Sequence, residues 1–216
     1  MARISRCLRA SELLESRVRF LIWPQALKPG ISMITEKACY AILPSNDSTL
    51  AVELYRTGLA RRKKHLVFFE DFRGKFISSG NDAEGSQMQI AINASSAVCR
   101  DAWLSAKKQE ELSRFARDNV LATGQHPEIK FESSSVARKR IRGFVVKGTL
   151  NIRGTARDAT VNVVINQTKP DTLQLDGDAT LRLSEFGIEP PSWFLGLTKI
   201  KDEVLIRVLL WATRSA

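Results

Sequence analysis

From about residue 39 onward, apolar residues recur at every second position, and that period governs what this chain can fold into. Leu50, Val52 and Leu54 alternate with Ala51, Glu53 and Tyr55, and Met88, Ile90 and Ile92 alternate with Gln89, Ala91 and Asn93. Successive side chains of a strand point to opposite faces, so each such segment reads as a strand with one face on a core. Similar runs begin at Leu66, Ile129, Phe144, Val161, Leu173 and Val204. Turn signals such as Ser79-Gly80-Asn81-Asp82, Gly154 and Lys169-Pro170-Asp171 separate them. One stretch departs from the period. Lys107 to Asp118 places Leu112, Phe115 and Ala116 among charged residues, with Glu110 four positions ahead of Arg114, which predicts a single amphipathic helix.

The expectation is an all-β domain of about eight antiparallel strands with one inserted α-helix. An eight-stranded meander can close into a barrel just wide enough for side chains or one small apolar ligand. A two-sheet sandwich fits the same periodicity, and the alternation alone leaves both topologies open.

Composition narrows the function classes. The chain has 216 residues, 44% of them hydrophobic and 26% charged, which is enough to bury a core without covalent staples. Its cysteines, Cys7, Cys39 and Cys99, are odd in number and far apart, and only two histidines occur. That spacing argues against a disulfide framework and a structural zinc motif, so no metal or cofactor is expected. No apolar run has the length of a membrane-spanning helix.

Thirty-three Lys and Arg against 23 Asp and Glu give a net charge of +10. The first 34 residues carry Arg3, Arg6, Arg9, Arg17, Arg19 and Lys28 against Glu12 and Glu15, a net +4. Ile4, Leu8, Leu14, Val18, Leu21 and Ile22 fall at roughly helical spacing among them, and Leu27-Lys28-Pro29-Gly30 ends the pattern. Residues 1–38 are therefore read as a basic, partly helical extension, an accessory segment or upstream sequence from an early start, and 39–216 as the β domain. Two further basic clusters, Arg61-Arg62-Lys63-Lys64 and Arg138-Lys139-Arg140 with Arg142, read first as solvated turns. Their other reading is a surface for nucleic acid or an acidic partner, made by a barrel with a filled core.

The order of several short motifs resembles the YceI-like family. Thr57-Gly58-Leu59 and His65-Leu66, then Phe72-Arg73-Gly74-Lys75-Phe76, resemble its opening hairpin. Asn119-Val120-Leu121 and His126-Pro127-Glu128-Ile129-Lys130-Phe131-Glu132-Ser133 resemble its passage from helix to strand. Val146-Lys147-Gly148-Thr149-Leu150-Asn151-Ile152-Arg153-Gly154-Thr155 is similar to a further strand of the family, and Glu185-Phe186-Gly187-Ile188 with Lys201-Asp202-Glu203-Val204 to its close. The resemblance covers about residues 40–213. It implies a lipocalin-like, eight-stranded antiparallel up-and-down barrel that binds a polyisoprenoid or other long-chain amphiphile in its lumen. The sequence departs from the family branch with Gly before the histidine, having Lys64 there and Leu66 after it.

The candidate ligand-binding residues form the inward aromatic and aliphatic face: Phe68, Phe72, Met88, Ile90, Phe131, Leu150, Ile152, Val208 and Leu210, together with Phe186. Pro190-Pro191-Ser192-Trp193-Phe194-Leu195-Gly196-Leu197 is too apolar for an idle turn, so Trp193 and Phe194 are placed at the lumen mouth or in a patch that meets a membrane. No catalytic group is assigned. His65 reads as a strand-start histidine bonded to a backbone carbonyl, and His126 as a turn residue. Asp202 and Glu203, adjacent in a strand, point to opposite faces and make no dyad. Cys39 and Cys99 lie at strand ends without a CxxC partner. The expected function is non-catalytic binding, sequestration or transport of a lipid-like ligand, with peripheral membrane contact and homodimerisation both compatible. The scattered cysteines and the short apolar run Phe20-Leu21-Ile22-Trp23 favour the cytoplasm, and the family resemblance offers the periplasm instead.

Overall fold

A computed structural model describes residues 37–57, 64–80, 84–139, 143–193 and 198–215, apart from the side chains of 192, 193 and 198. Residues 1–36 of the basic extension, Arg61–Lys63, Arg140, Arg142 and Phe194 lie outside the described residues, while Lys37 and Ala38 open the first strand. The chain divides into two units, Met1–Gly30 and Ile31–Ala216, and all the strands and the helix described below belong to the second.

Among the described residues twelve strands form, in the order β1 (Lys37–Ile42), β2 (Thr49–Arg56), β3 (Lys64–Phe69), β4 (Phe72–Ser79), β5 (Gln87–Asn93), β6 (Ala97–Cys99), β7 (Glu128–Arg138), β8 (Gly143–Ile152), β9 (Thr155–Lys169), β10 (Thr172–Arg182), β11 (Ser192–Trp193) and β12 (Thr198–Arg214). The ladder runs β1-β4-β5-β7-β8-β9-β10-β12, and a further β1–β12 pairing closes it into an eight-stranded antiparallel barrel. The closure selects the barrel over the sandwich. It is possible because β12 is long enough to serve two partners on one edge. Its Val204–Leu209 part pairs with β2, and its Ala212–Arg214 part pairs with β1. The β2-β3-β6 leaf branches from β12 outside the eight-strand ring.

Local chemistry sets the corners. Arg153 and Gly154 both take positive φ, 53° and 74°, between β8 and β9, the two-residue turn whose twist matches that of the flanking strands. Gly148 faces a register shift in β7 between Ser133 and Ser135, where a Cβ would come within 2.2 Å of the Glu132 carbonyl oxygen. A second register shift, where β12 pairs with β2, falls between Ile200 and Val204. Within it, Asp202 accepts the Ser184 N–H at 2.8 Å and its hydroxyl at 2.6 Å, anchoring the 3-10 turn Leu183–Phe186. The Asp202-Glu203 pair is thus half structural clasp, not a dyad.

The helix, α1 (Ala106–Phe115), continues as a π turn over Ala116–Val120. Ser105 caps its start by accepting the Lys108 N–H. The expected Glu110–Arg114 pair is replaced by others: Glu110 meets Arg117 at 3.0 Å and Lys108 meets Glu111 at 2.6 Å. Arg117 also donates to the Ala97 carbonyl on β6 at 3.1 Å, so one guanidinium bridges Glu110 and that strand. No helix among the described residues is long and apolar enough to cross a membrane.

Candidate functional site: an apolar lumen with one polar corner

The inward-facing residues do two different things along the barrel. Near the closure, Tyr40, Ile42, Phe76, Val136, Val146, Leu173 and Ala212 are buried in the core, the Tyr40 and Phe76 rings lying 6.2 Å apart. Toward α1 the interior opens into a cavity lined by β2, β3, β5, β7–β10, β12 and α1. Filled core and hollow lumen therefore coexist, one at each end.

The strand period builds the wall. Leu50, Val52 and Leu54 of β2, Val161 and Val163 of β9, and Val204, Ile206, Val208 and Leu210 of β12 all face the lumen. Leu112, Phe115, Ala116 and Val120 of α1 and its π turn roof it, spaced so that they share one helix face. Ser113 holds this roof in place. Its Oγ accepts the Cys99 N–H at 2.8 Å and donates to the Gln109 carbonyl at 2.7 Å. Among the described lining residues, the side chains bearing a polar group are His65, Cys99, Asp178 and Thr180.

Of the residues chosen from the sequence, Met88, Ile90, Phe131, Leu150, Ile152, Val208 and Leu210 lie on the lumen wall. Phe68 does not. In β3 the lumen receives His65, Val67 and Phe69, so Phe68 stands on the outer face beside Leu66. The run Leu66-Val67-Phe68-Phe69 is apolar throughout, and its phase cannot be read from hydrophobicity. Phe72 and Phe186 are buried in the core without lining the cavity. Around Phe186 it is Leu183, Ile188 and Pro191 that reach the lumen. The backbone of Trp193 pairs with Thr198, and its side chain lies outside the described residues.

The polar corner is where the structure departs furthest from expectation. His65 bonds, through Nδ1, to Asp101 Oδ2 at 2.6 Å, a side-chain partner the strand reading did not include. The same oxygen accepts the Cys99 thiol at 3.3 Å, and Asp101 Oδ1 accepts the Leu66 N–H at 2.8 Å. Gln109 of α1 donates to the Asp101 carbonyl at 3.0 Å, and the His65 ring lies 5.3 Å from that of Trp103. Burial pushes the Cys99 thiol up to about 12, and the Asp101 charge adds to the rise. Such a thiol stays protonated at neutral pH and is no nucleophile. The order is wrong for one as well, because the carboxylate, not the imidazole, bonds the sulfur.

Outside the lumen, Glu53 is buried on the opposite face of β2 from Val52 and Leu54. It meets Lys64 at 2.9 Å, Arg207 at 3.0 Å and the Tyr55 hydroxyl at 2.7 Å. Burial alone raises its carboxyl, but the Tyr55 and Lys64 bonds and the Arg207 charge outweigh that and hold it below the usual carboxylate range.

Comparison with known proteins agrees with this geometry. No curated protein sequence matches. BcnA of Burkholderia cenocepacia superposes with a TM-score of 0.62 at 22% identity, covering 77% of this chain and 96% of that one. A polyisoprenoid-binding domain from Saccharophagus degradans superposes with a TM-score of 0.59 at 11% identity, over 85% and 100% of the two chains. The YceI protein of Campylobacter jejuni gives 0.55 at 13% identity, over 69% and 84%. These likenesses establish the shared barrel. The sequence profile of the YceI-like domain matches residues 43–212, most of the chain, and the protein belongs to the YceI-like family.

Proposed function

We propose that this barrel binds a long-chain apolar ligand, a polyisoprenoid or another lipid-like amphiphile, and sequesters or carries it without chemical change. The observation that carries the reading is the lumen itself: a cavity whose described walls from β2 round to β12 are aliphatic and aromatic apart from His65, Cys99, Asp178 and Thr180. A polar substrate would find too few partners there. A prenyl or acyl chain loses only water, and each five-carbon unit buried contributes roughly 2–3 kcal/mol. The Saccharophagus degradans domain, named for polyisoprenoid binding, points to the same ligand class. The un-ionised thiol and the carboxylate-centred corner supply no nucleophile, which favours a binder over an enzyme.

Trp103, 41% exposed, suits collection of such a ligand from a lipid surface. Its ring lies beside His65 on the lumen wall, with the Arg56 guanidinium 5.9 Å from its centroid. An aromatic ring paired with a cation fits the boundary between lipid headgroups and chains.

The test is titration of delipidated protein with a fluorescent long-chain polyene, followed by displacement with unlabelled prenyl alcohols of increasing length. Saturable binding that tightens with chain length supports the reading. Binding that is absent, or indifferent to length, contradicts it.

A further inference from the structure

Among the described residues, one group of potential metal ligands goes unused by enclosure of an apolar chain. His65 on β3, Cys99 at the end of β6 and Asp101 two residues on are all buried, and each offers a donor atom within 4.8 Å of the other two. The Asp101 carboxylate takes its hydrogen bonds from the Leu66 N–H, the His65 ring and the Cys99 thiol, with no Lys or Arg among them. Buried carboxylates are paired or coordinate metals; the His65 imidazole at 2.6 Å is one partner for Asp101, and a divalent metal ion is another that this donor set can hold.

We propose that His65, Cys99 and Asp101 form a binding site for Zn²⁺ or a similar borderline-soft divalent cation on the wall of the lumen. One imidazole nitrogen, one sulfur and one carboxylate oxygen are the ligand types zinc takes, at about 2.0–2.3 Å from the metal. Tetrahedral geometry at those lengths sets the donor atoms about 3.3–3.7 Å apart. The sulfur already stands 3.3 Å from Asp101 Oδ2, and the 2.6 Å contact with His65 Nδ1 must open by somewhat under 1 Å. Loading releases the thiol proton to solvent, leaving a thiolate on the metal.

Three contacts hold the donors in register. The Ser113 hydroxyl fixes the Cys99 backbone, the Gln109 amide fixes that of Asp101, and the β2–β3 ladder fixes His65 opposite Leu54. Because His65 and Cys99 both line the cavity, a fourth coordination position opens toward the lumen. The site does not depend on what occupies the rest of that lumen.

The experiment is titration of the full, chelator-treated chain with Co²⁺, which reports thiolate ligation as a sulfur-to-metal charge-transfer band, followed by competition with Zn²⁺. One metal per chain is expected, with the band displaced by zinc. Cys7→Ser with Cys39→Ser, which leaves Cys99 as the sole thiol, must retain the band. His65→Asn must weaken binding by at least about tenfold, since even an outer partner of a metal ligand is commonly worth that much. Cys99→Ser, where its thermal transition matches the parent, must lose the band. Absence of the band from the variant whose sole thiol is Cys99, or affinity unchanged in His65→Asn, overturns the assignment.

Discussion

Ser113 on the helix accepts the backbone N–H of Cys99 on β6 at 2.8 Å, in a site where both residues are buried. That bond ties the roof of the lumen to its wall. Ser113→Ala leaves the Cys99 N–H without its partner, at a cost of about 1–3 kcal/mol in an interior site. The helix then opens more readily than the strands beneath it. Hydrogen exchange is expected to accelerate across 106–120 ahead of β7–β10, and a bound long-chain probe to dissociate faster. Uniform acceleration across the barrel would show that α1 is part of the global unfolding unit instead.

Leucines at the two ends of the barrel should respond differently to truncation. Leu173 is fully buried where the interior is filled, whereas Leu150 borders the cavity. Leu→Ala costs about 2–5 kcal/mol, rising with the void it creates. Leu173→Ala opens a new void among Ala212 and its neighbours and belongs at the upper end of that range. Leu150→Ala only enlarges an existing space and belongs at the lower end. Chemical denaturation of the two ligand-free variants measures the difference directly, and equal costs would mean that the cavity is packed in solution.

The Glu53 cluster predicts acid sensitivity with a definite sign. Its carboxyl is held below the usual range, so the folded state binds this proton less readily than the unfolded chain does. The stabilisation is fully present above the unfolded value, about pH 4.3, and is lost as pH falls through the folded one. Glu53→Gln removes the titration, and its stability should fall less steeply than the parent's between neutral and acidic pH. At neutral pH the variant should be the less stable by about 1–3 kcal/mol, because the amide cannot satisfy the Lys64 and Arg207 charges as a carboxylate does. Parallel pH profiles for the two proteins would contradict this.

Much of the barrel was legible because alternation is a strong signal where one face is wet. Met88-Gln89-Ile90 and Phe131-Glu132 leave no doubt which face turns inward, and those inward residues line the cavity. The signal failed where both faces are apolar. In β3, Leu66 and Phe68 sit half-buried on the outside, so hydrophobicity could not choose between Phe68 and Phe69. Nor could the pattern show that β10 and β12 would build a lumen at one end while Leu173 and Ala212 close-pack at the other. That depends on volumes summed around the ring rather than along a strand.

The polar corner was invisible for a different reason. His65 and Asp101 lie 36 residues apart and meet only because β3 pairs with β6. The Cys99-Arg100-Asp101 spacing is too common to draw notice. Burial makes it informative, and burial of Asp101 beneath α1 is a tertiary fact.

The central claim is that the lumen holds a long apolar molecule, and the most direct measurement is mass spectrometry of whatever organic solvent extracts from the purified protein. The parent chain is expected to release a long-chain amphiphile in near-stoichiometric amount. Ala179→Trp, which places a large ring on the lumen face of β10, is expected to release little while melting at a similar temperature. An extract free of amphiphile from the parent, or the same load from Ala179→Trp, would contradict the account.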